Sequence, residues 1–512
     1  MLARTRSLSL SGIEASMVEV EVSTSRGLPT FSMVGLPDSA VRESRQRVAS
    51  AIGSIGLRLP GSKTTINLAP ADRKKQGTGF DLPIAVSLLA AAGAVPPEGI
   101  RDMIFVGELS LDGSLRPVRG MLAMASGARG IDHAGLVVPS MSAGEASIAG
   151  HQRIYAARDL AQVVDLLNDG GLSPIRCRGA VDLLSQASAP RMDLSDVKGQ
   201  ENAKRALEVA AAGGHNTLMI GSPGSGKTML ARRLPGIMPP MVPDEAVMTT
   251  KVHSVAGLLR PGQPLVVRRP FRAPHHTVSD AGLIGGGSIP RPGEVSLATN
   301  GVLFLDELPE FRRSVLEVLR QPLEDGRVTI SRASVSLTFP ARFMLVAAMN
   351  PCPCGYYTDP RRSCSCSFSE IKAYLRRISG PLLDRIDIHM DVAPVSYDQL
   401  SAEASTGRGS TIARDRVTKA REIQSRRFED VPGVYCNSQI TPSMIKTYAP
   451  AGPDCRSLLR QAVAQYGLSA RAYHRILKVA KTVADLEGED RILARHVSEA
   501  IQYRTLDRDF WF

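Results

Sequence analysis

Hydrophobic and polar positions along the chain follow two periods, and together they predict alternating strands and helices. Residues 18–22 alternate like a half-buried strand, whereas residues 38–55 place apolar side chains at helical spacing. Residues 64–68 have the pattern of a second strand, and residues 82–92 are almost wholly apolar, which indicates a buried helix. We expect residues 1–170 to form a first domain of the α+β class.

Beyond this domain, short apolar runs end in polar or glycine residues, which is typical of buried parallel strands. Such runs cover residues 218–220, 302–305 and 343–349. A stretch rich in Gly, Ser and Pro with little periodicity precedes them and predicts a linker. The spacing after residue 394 is mostly helical. We therefore expect an α/β fold divided into four parts, residues 1–170, 171–194, 195–393 and 394–512.

The strand at 218–220 runs into a glycine-rich loop that fits the phosphate-binding pattern G-x-x-x-x-G-K-[ST]. A strand that enters a helix through glycines points several backbone N–H groups at one spot, where the helix dipole also favours an anion. In such loops the lysine reaches the β- and γ-phosphates, and the hydroxyl holds Mg²⁺. The sequence therefore predicts an ATP site at Gly221, Ser222, Pro223, Gly224, Ser225, Gly226, Lys227 and Thr228.

The strand at 302–305 ends in two carboxylates, Asp306 and Glu307. Parallel strands deliver such residues to the sheet edge that also carries the phosphate loop. Asp306 would complete the Mg²⁺ site through water, and Glu307 would polarise the water that attacks the γ-phosphate. An apolar run ending in Asp-Glu is a weak signal alone, but it gains weight after an intact phosphate loop.

Composition and charge narrow the class of protein. The chain of 512 residues is 43% hydrophobic and 22% charged, as in ordinary soluble proteins. Its formal net charge of +12 favours a polyanionic partner. The first residues lack an apolar signal core, and the longest apolar run, 82–95, contains Pro83 and is too short for a bilayer. We expect a cytoplasmic protein without a membrane partner.

Four of the seven cysteines lie close together after the strand at 343–349. Two C-x-C pairs that flank a short polar loop can supply four thiolates to one tetrahedral zinc ion. Labile disulfides and free thiols are the alternatives. Four protein ligands would leave no open position for a substrate, so the predicted role is structural. The ligands would be Cys352, Cys354, Cys364 and Cys366.

The phosphate loop, the Asp-Glu strand, the four-cysteine segment 352–366 and the box Leu382-Leu383-Asp384-Arg385 resemble the ComM/YifB family of magnesium-chelatase-like AAA+ ATPases. The resemblance spans nearly the whole chain and implies a P-loop AAA+ core with a C-terminal helical lid. It also implies a homo-hexameric ring that moves single-stranded or branched DNA and promotes branch migration in recombination or natural transformation.

The same resemblance implies roles for single residues around the nucleotide. Asn350 would be the first sensor, orienting the attacking water or touching the γ-phosphate. Arg385 would be an arginine finger that reaches a neighbouring subunit's nucleotide. The alternative is a surface salt bridge with Asp384 or Asp387, which needs only one chain. Arg471 would be the phosphate contact of the second sensor, with Arg475 as the alternative.

Two further features are matched to the family in the same way. Val197 and Gln200 lie on a turn that would border the adenine.

Residues 327–337 have the pattern of a hairpin with a tip near Arg332, which would carry a positive charge to DNA in the ring's pore. A solvated arginine on an edge hairpin is an equal alternative. His275 and His276 lack a partner at metal-ligand spacing, so we interpret them as residues of a Gly- and Pro-rich loop.

In the first domain, residues 75–81 and the hairpin from Gly107 to Pro117 resemble the Lon-type protease fold. Lon-type proteases use a Ser–Lys pair, with the serine on a glycine-rich turn before a helix. The matching turn, residues 77–81, has no serine, and the helix expected at 121–125 has no lysine. We therefore expect a Lon-protease-like domain that is not proteolytic and serves binding or assembly.

Two rivals to a DNA motor are the motor subunit of a metal chelatase, which acts on a protein partner, and a nucleotide switch that does not translocate. The extra first domain and the cysteine cluster argue against the chelatase subunit, which lacks both. A switch would hydrolyse ATP once without movement.

Overall fold

The computed structural model describes residues 1–58, 61–150, 153–185, 192–287, 290–332, 335–357, 359–395 and 409–504. The first domain is built on a seven-stranded mixed sheet. Its strands, in spatial order, are Phe31–Val34, Lys63–Ala69, Glu14–Ser25, Leu2–Ser11, Met103–Phe105, Gly135–Pro139 and Ile154–Ala157. The two long N-terminal strands pair antiparallel from Leu2↔Ser23 to Ser11↔Glu14.

Helices cover this sheet, and the most buried of them is Asp81–Ala91, in which every residue is buried. It packs between the two long strands and the helix Ser39–Ser54, so it has no solvent face, which explains why its sequence is apolar all round. The other helices of the domain are Pro97–Ile100, Met121–Ala128, Ala143–Ser147 and Leu160–Asp169.

A second sheet of five parallel strands forms the core of residues 192–395. In spatial order the strands are Phe271–Arg272, Val302–Leu305, Met344–Met349, Thr217–Ile220 and Ile388–Asp391. Helices cover both faces: Glu201–Gly213 and Lys227–Ile237 share a core with one face, and Arg313–Glu317 and Phe368–Leu375 share a core with the other. Such burial on both faces requires the continuous apolar runs that the sequence shows. All carboxyl ends of the strands lie at one edge of this sheet.

Two segments outside the sheets form short helices whose limits depend on proline or on packing. Residues 313–325 form two helices, Arg313–Glu317 and Arg320–Asp325, because Pro322 has no backbone N–H and fits only the first turn of a new helix. The segment expected as a linker contains the helix Ala180–Ser185. It forms because Ala180, Leu183 and Leu184 pack into the core between the first domain and the helix Pro243–Ala256.

The C-terminal region is helical within its described residues. The helices Ser410–Arg427 and Ala470–Glu487 pack against Glu201–Gly213 and share its core. The remaining helices of this region are Ile445–Tyr448, Pro453–Tyr466 and Ala494–Gln502, with a 3₁₀ turn at Asn437–Gln439. This region therefore lies on the outside of the core sheet's helical layer.

Candidate nucleotide site and metal centre

The phosphate loop leaves the strand Thr217–Ile220, which lies between two other strands of the sheet, and enters the helix Lys227–Ile237. Gly224 and Gly226 have φ angles of +77° and +95°, which explains why glycine is needed at both positions. Lys227 folds back over the loop, and its Nζ donates to Gly221 O at 2.7 Å and Ser222 O at 3.0 Å. Burial lowers the pKa of Lys227, and the charge of Asp306 opposes that shift.

Two neighbouring strands bring polar side chains to this loop. The Thr228 hydroxyl donates to Asp306 Oδ2 at 2.7 Å, so the two predicted Mg²⁺ ligands are in direct contact. On the other side, Lys227 Nζ donates to Asn350 Oδ1 at 3.2 Å. An ammonium, a hydroxyl, a carboxylate and an amide thus converge at one sheet edge, and this donor set fits a Mg²⁺-bound triphosphate.

Glu307 follows Asp306 in an unusual conformation. Its φ is +53°, a left-handed value that non-glycine residues rarely adopt and that tends to occur at functional sites. Its side chain is 58% exposed, and Oε2 lies 3.4 Å from His276 Nδ1. The carboxylate is therefore open to water at the edge of the nucleotide site.

Sequence reasoning missed the contact of His276 with this site. The residue is in a loop, as predicted, but the loop follows the two-residue strand Phe271–Arg272, which pairs with Val302–Leu305. Because that pairing is parallel, both strands end at the same edge. Recognising residues 271–272 as a strand would have placed His276 beside Glu307.

The turn predicted to border the adenine contacts the phosphate loop. Val197 is buried in the core, and Gln200 has a φ of +62°. Gln200 Nε2 donates to Ser225 O at 3.3 Å and also to Ala393 O. Arg233, on the loop's helix, holds the same turn through Asp196 Oδ2 at 2.9 Å. These bonds connect the turn, the loop and the chain after the last strand.

The four predicted cysteine ligands come together, with their sulfur atoms all within 4.8 Å of one another. Cys352 Sγ lies 3.3 Å from Cys354 Sγ and 3.7 Å from Cys364 Sγ. Four sulfurs at about 2.3 Å from a tetrahedral zinc would be about 3.8 Å apart, so the spacing fits such an ion. These distances are far longer than a disulfide bond, and all seven cysteines are free.

Ionisation of these thiols also favours a bound cation. The backbone N–H of Tyr356 is the main cause that lowers the pKa of Cys354 to about 5. The N–H of Cys354 lowers the pKa of Cys366, but burial and the neighbouring thiols outweigh it and raise that pKa to about 12. Without a cation, the charge of one thiolate therefore opposes ionisation of the next thiol, whereas a bound metal ion would stabilise the thiolate form of all four cysteines.

The cysteine cluster packs directly against the phosphate loop. Gly355 has a φ of +87°, and a Cβ added to it would lie 2.6 Å from Pro223 Cδ. Asp359 accepts hydrogen bonds from Arg361 and Ser222, which lower its pKa. The cluster is therefore a wall of the nucleotide site, immediately after Asn350.

The two remaining arginines predicted for the site, Arg385 and Arg471, lie elsewhere. Arg385 is nearly buried, donates to Pro381 O at 2.6 Å and pairs with Glu324. Arg471 is 64% exposed and lies 3.9 Å from Asp384. Both line one groove of about 590 Å³, whose described lining includes no residue of the phosphate loop. The alternative, Arg475, pairs with buried Asp387 and has a structural partner.

The basic hairpin consists of Arg327–Arg332 and Val335–Pro340. Arg332 is exposed at its outer end and pairs in register with Val335, while residues 333–334 lie outside the described part. Gly286 approaches the guanidinium so closely that a Cβ there would lie 3.3 Å from Arg332 Nη2. Arg332 and Arg385 also line one surface cavity, so the hairpin and the arginine box share a face.

Family models match three parts of the chain. The model "Magnesium chelatase, subunit ChlI" matches residues 193–400, "Subunit ChlI of Mg-chelatase" matches 20–142, and "Magnesium chelatase, subunit ChlI C-terminal" matches 407–504. In the described residues no helix is long and apolar enough to cross a membrane. The sheet, the phosphate loop and these matches define a magnesium-chelatase-like protein of the AAA+ class.

Full-length relatives specify the family. The chain is 43% identical over 512 residues to Competence protein ComM of Haemophilus influenzae, covering 99% of this chain and 98% of ComM. It is 42% identical to the uncharacterized protein YifB of Salmonella typhimurium, over 97% and 96% of the two chains. The Magnesium-chelatase 38 kDa subunit of Rhodobacter capsulatus is 27% identical over only 32% of this chain and 51% of its own. The chain belongs to the ComM/YifB family of magnesium-chelatase-like proteins.

Proposed function

We propose that this protein is an ATP-hydrolysing motor whose site is built around the phosphate loop. The observation that carries the proposal is the convergence of Thr228 with Asp306 at 2.7 Å and of Lys227 with Asn350 at 3.2 Å. Thr228 and Asp306 would hold Mg²⁺, which neutralises charge on the phosphates, and Lys227 would hold the β- and γ-phosphates.

Hydrolysis needs a group that orients and polarises water, and Glu307 is suited to this role. Its side chain is exposed at the site's edge, beside Asp306. Asn350 would orient the γ-phosphate from the adjacent strand. Val197 and Gln200 would border the adenine, because their turn is bonded to Ser225 of the loop.

Arg385 and Arg471, the two arginines expected to contact phosphates, line a groove apart from the phosphate loop, and we propose that a neighbouring copy of the chain supplies the arginine finger. This common groove suits a face that covers the next subunit's nucleotide. A contact in which unlike faces meet closes into a ring when the rotation allows it. We expect a homo-hexamer.

DNA is the proposed substrate of the movement. The net charge of +12, the exposed Arg332 at the end of a hairpin and the 43% identity to a protein named for competence support it. The activity would be branch migration of single-stranded or branched DNA, in the cytoplasm. The first domain would be a Lon-protease-like module without proteolytic activity, the C-terminal helices would act as the lid, and the cysteine cluster would hold a structural zinc ion.

A branch-migration assay tests this function. The purified protein, given ATP and Mg²⁺, should move the junction of a labelled three-strand substrate, whereas Glu307→Gln should bind the same substrate without moving it. ATP hydrolysis without any movement would favour the rivals, a nucleotide switch or a chelatase-type motor that acts on a protein partner.

A further inference from the structure

A second basic surface, whose lining includes none of the proposed catalytic groups, lies in a groove between the first domain and the core. The groove has a volume of about 730 Å³. Its walls come from the turn before the helix Met121–Ala128, the segment 171–179 and the loop that follows the helix Pro243–Ala256. Four arginines line it, all of them exposed, namely Arg119, Arg176, Arg178 and Arg260.

Alternating burial sets the direction of two of these arginines. Ile175 N donates to Ile154 O at 2.8 Å, which ties the segment to the last strand of the first sheet. Ile175 and Cys177 are partly buried against the core there. Arg176 and Arg178 alternate with them in sequence and are both exposed on the solvent side.

The opposite wall positions the other two. Arg119 lies against Gly257, where a Cβ would come within 2.9 Å of its Nε. Gly257 ends the helix Pro243–Ala256 with a φ of +73°, and Arg260 follows three residues later. Glycine at 257 is favoured by this left-handed backbone conformation, and its lack of a side chain leaves room for Arg119 to lie against it.

The junction that holds these walls is well packed. Gly120 N donates to Ser254 Oγ at 2.8 Å, which ties the first domain to the helix of the core. Pro264 on the loop packs on Gly144 of the first domain. Apolar side chains from both units form one core beneath the groove. The arginines therefore converge on a preformed surface.

Charge in this groove is unbalanced. Glu145 is the one carboxylate in its described lining, and it is turned into the protein, accepting hydrogen bonds from Leu122 N at 2.6 Å and from Ser254 Oγ. Burial raises the pKa of Glu145. Within the described residues, no ion pair with a carboxylate is formed by any of the four arginines. In the groove around Arg385, by contrast, five carboxylates accompany the cations.

We propose that this groove binds the sugar-phosphate backbone of a nucleic-acid strand, as a second contact separate from the hairpin. Arginine and serine are among the side chains that contact phosphates, and exposed Ser140 lies in the same lining. A concave surface with several unpaired positive charges attracts a polyanion and raises its local concentration. The inference rests on the proposed action on DNA and adds the site that holds the strand outside the pore.

The test is the salt dependence of binding to a fluorescent single-stranded DNA, measured with the full chain. Each lost phosphate contact should lower the slope of log K against log salt by about 0.7 for a single strand, so Arg176→Ala/Arg178→Ala should lower it by about 1.4. The matched control is Arg42→Ala/Arg101→Ala, which removes two exposed arginines of the first domain outside the groove. Equal thermal unfolding midpoints establish that both variants fold.

The outcomes separate this inference from the function on which it rests. Wild-type protein that binds no DNA would remove the proposed function itself. If wild type binds DNA and Arg332→Ala lowers the slope, but Arg176→Ala/Arg178→Ala leaves it unchanged, the groove is not a nucleic-acid site. A competition experiment on Arg332→Ala protein gives a further outcome. If polyglutamate displaces the labelled DNA as effectively as unlabelled DNA does, the groove recognises acidic protein, and the inference is overturned.

Discussion

Two glycine-rich turns in this chain lead into helices, and they end in opposite environments. The phosphate loop enters the helix Lys227–Ile237, while residues 77–81 of the first domain enter the helix Asp81–Ala91. Both use glycine at positive φ, +95° at Gly226 and +86° at Gly77. The backbone device is shared, so the side chains decide what each turn can do.

In the first-domain turn, residues 77–81, the polar groups are bonded within the protein. Asp81 has no exposed side-chain surface and accepts hydrogen bonds from Arg47 at 2.7 and 3.0 Å and from Leu109 N at 3.2 Å. In the phosphate loop, by contrast, the Lys227 ammonium donates to neutral oxygens, those of Gly221, Ser222 and Asn350, and among the described residues it forms no ion pair with a carboxylate. The comparison indicates that a glycine turn before a helix can bind a charged ligand where its own charged side chain has no counterion in contact.

The largest effect on ATP turnover is expected at the nucleotide site, from a change at Glu307. Glu307→Gln should bind ATP and Mg²⁺ but lose about 10²- to 10⁴-fold in turnover, because an amide cannot polarise water. Steady-state ATPase measures the loss, and Glu310→Gln is the matched control, since Glu310 pairs with Arg377 nearby. Near-normal turnover of Glu307→Gln would remove the assignment.

A change at the first-domain turn, residues 77–81, should lower the free energy of unfolding and leave the ATPase rate unchanged. Arg47→Ala would leave buried Asp81 without its partner, which typically costs about 3–5 kcal/mol. Urea unfolding of the first domain should report this loss, and exposed Arg42→Ala should not produce it. ATPase per folded chain should be unchanged. A variant of full stability but lower ATPase would mean that the first-domain turn takes part in catalysis.

Loss of the metal from the cysteine cluster should weaken ATP binding at the phosphate loop. Wild type should contain about one zinc ion per chain, and Cys364→Ser should lose it, whereas Cys177→Ser, outside the cluster, should keep it. Because Gly355 packs on Pro223, ATP affinity should fall with the metal. Reduced, folded wild-type protein without metal would contradict the zinc prediction.

A smaller effect is expected at the hairpin. Arg332→Ala should reduce DNA affinity and lower the salt slope by about 1, with weaker branch migration. Arg327→Ala, at the base of the same hairpin, is the matched control because Arg327 is also exposed. Unchanged DNA binding and movement in Arg332→Ala would return this arginine to the solvated surface.

Much of the core could be predicted because local pattern and tertiary structure agree there. Predicted strands at 218–220 and 302–305 are confirmed as Thr217–Ile220 and Val302–Leu305, since buried parallel strands need unbroken apolar runs. Contacts such as Thr228 with Asp306 follow once both strands end at one edge. The motifs and their spacing were therefore sufficient to predict most residues of the candidate nucleotide site.

What could not be predicted depends on tertiary packing. The strand Phe271–Arg272 has only two residues, too few for a period, so the contact of His276 with Glu307 was invisible in the sequence. The helix Ala180–Ser185 exists because its apolar side chains have a neighbouring core to cover them. Likewise, nothing local indicated that Arg471 shares a groove with Arg385.

The central claim is that a neighbouring subunit supplies Arg385 to the nucleotide site at the phosphate loop. A mixing experiment tests this claim most directly. Arg385→Ala lacks the finger, and Lys227→Ala lacks the phosphate contact, so each should be inactive alone. Rings that contain both should regain ATPase activity, because an intact phosphate loop in one subunit meets an intact Arg385 from the next. Mixed rings that form, as verified by differently tagged subunits, yet hydrolyse no ATP would contradict the account.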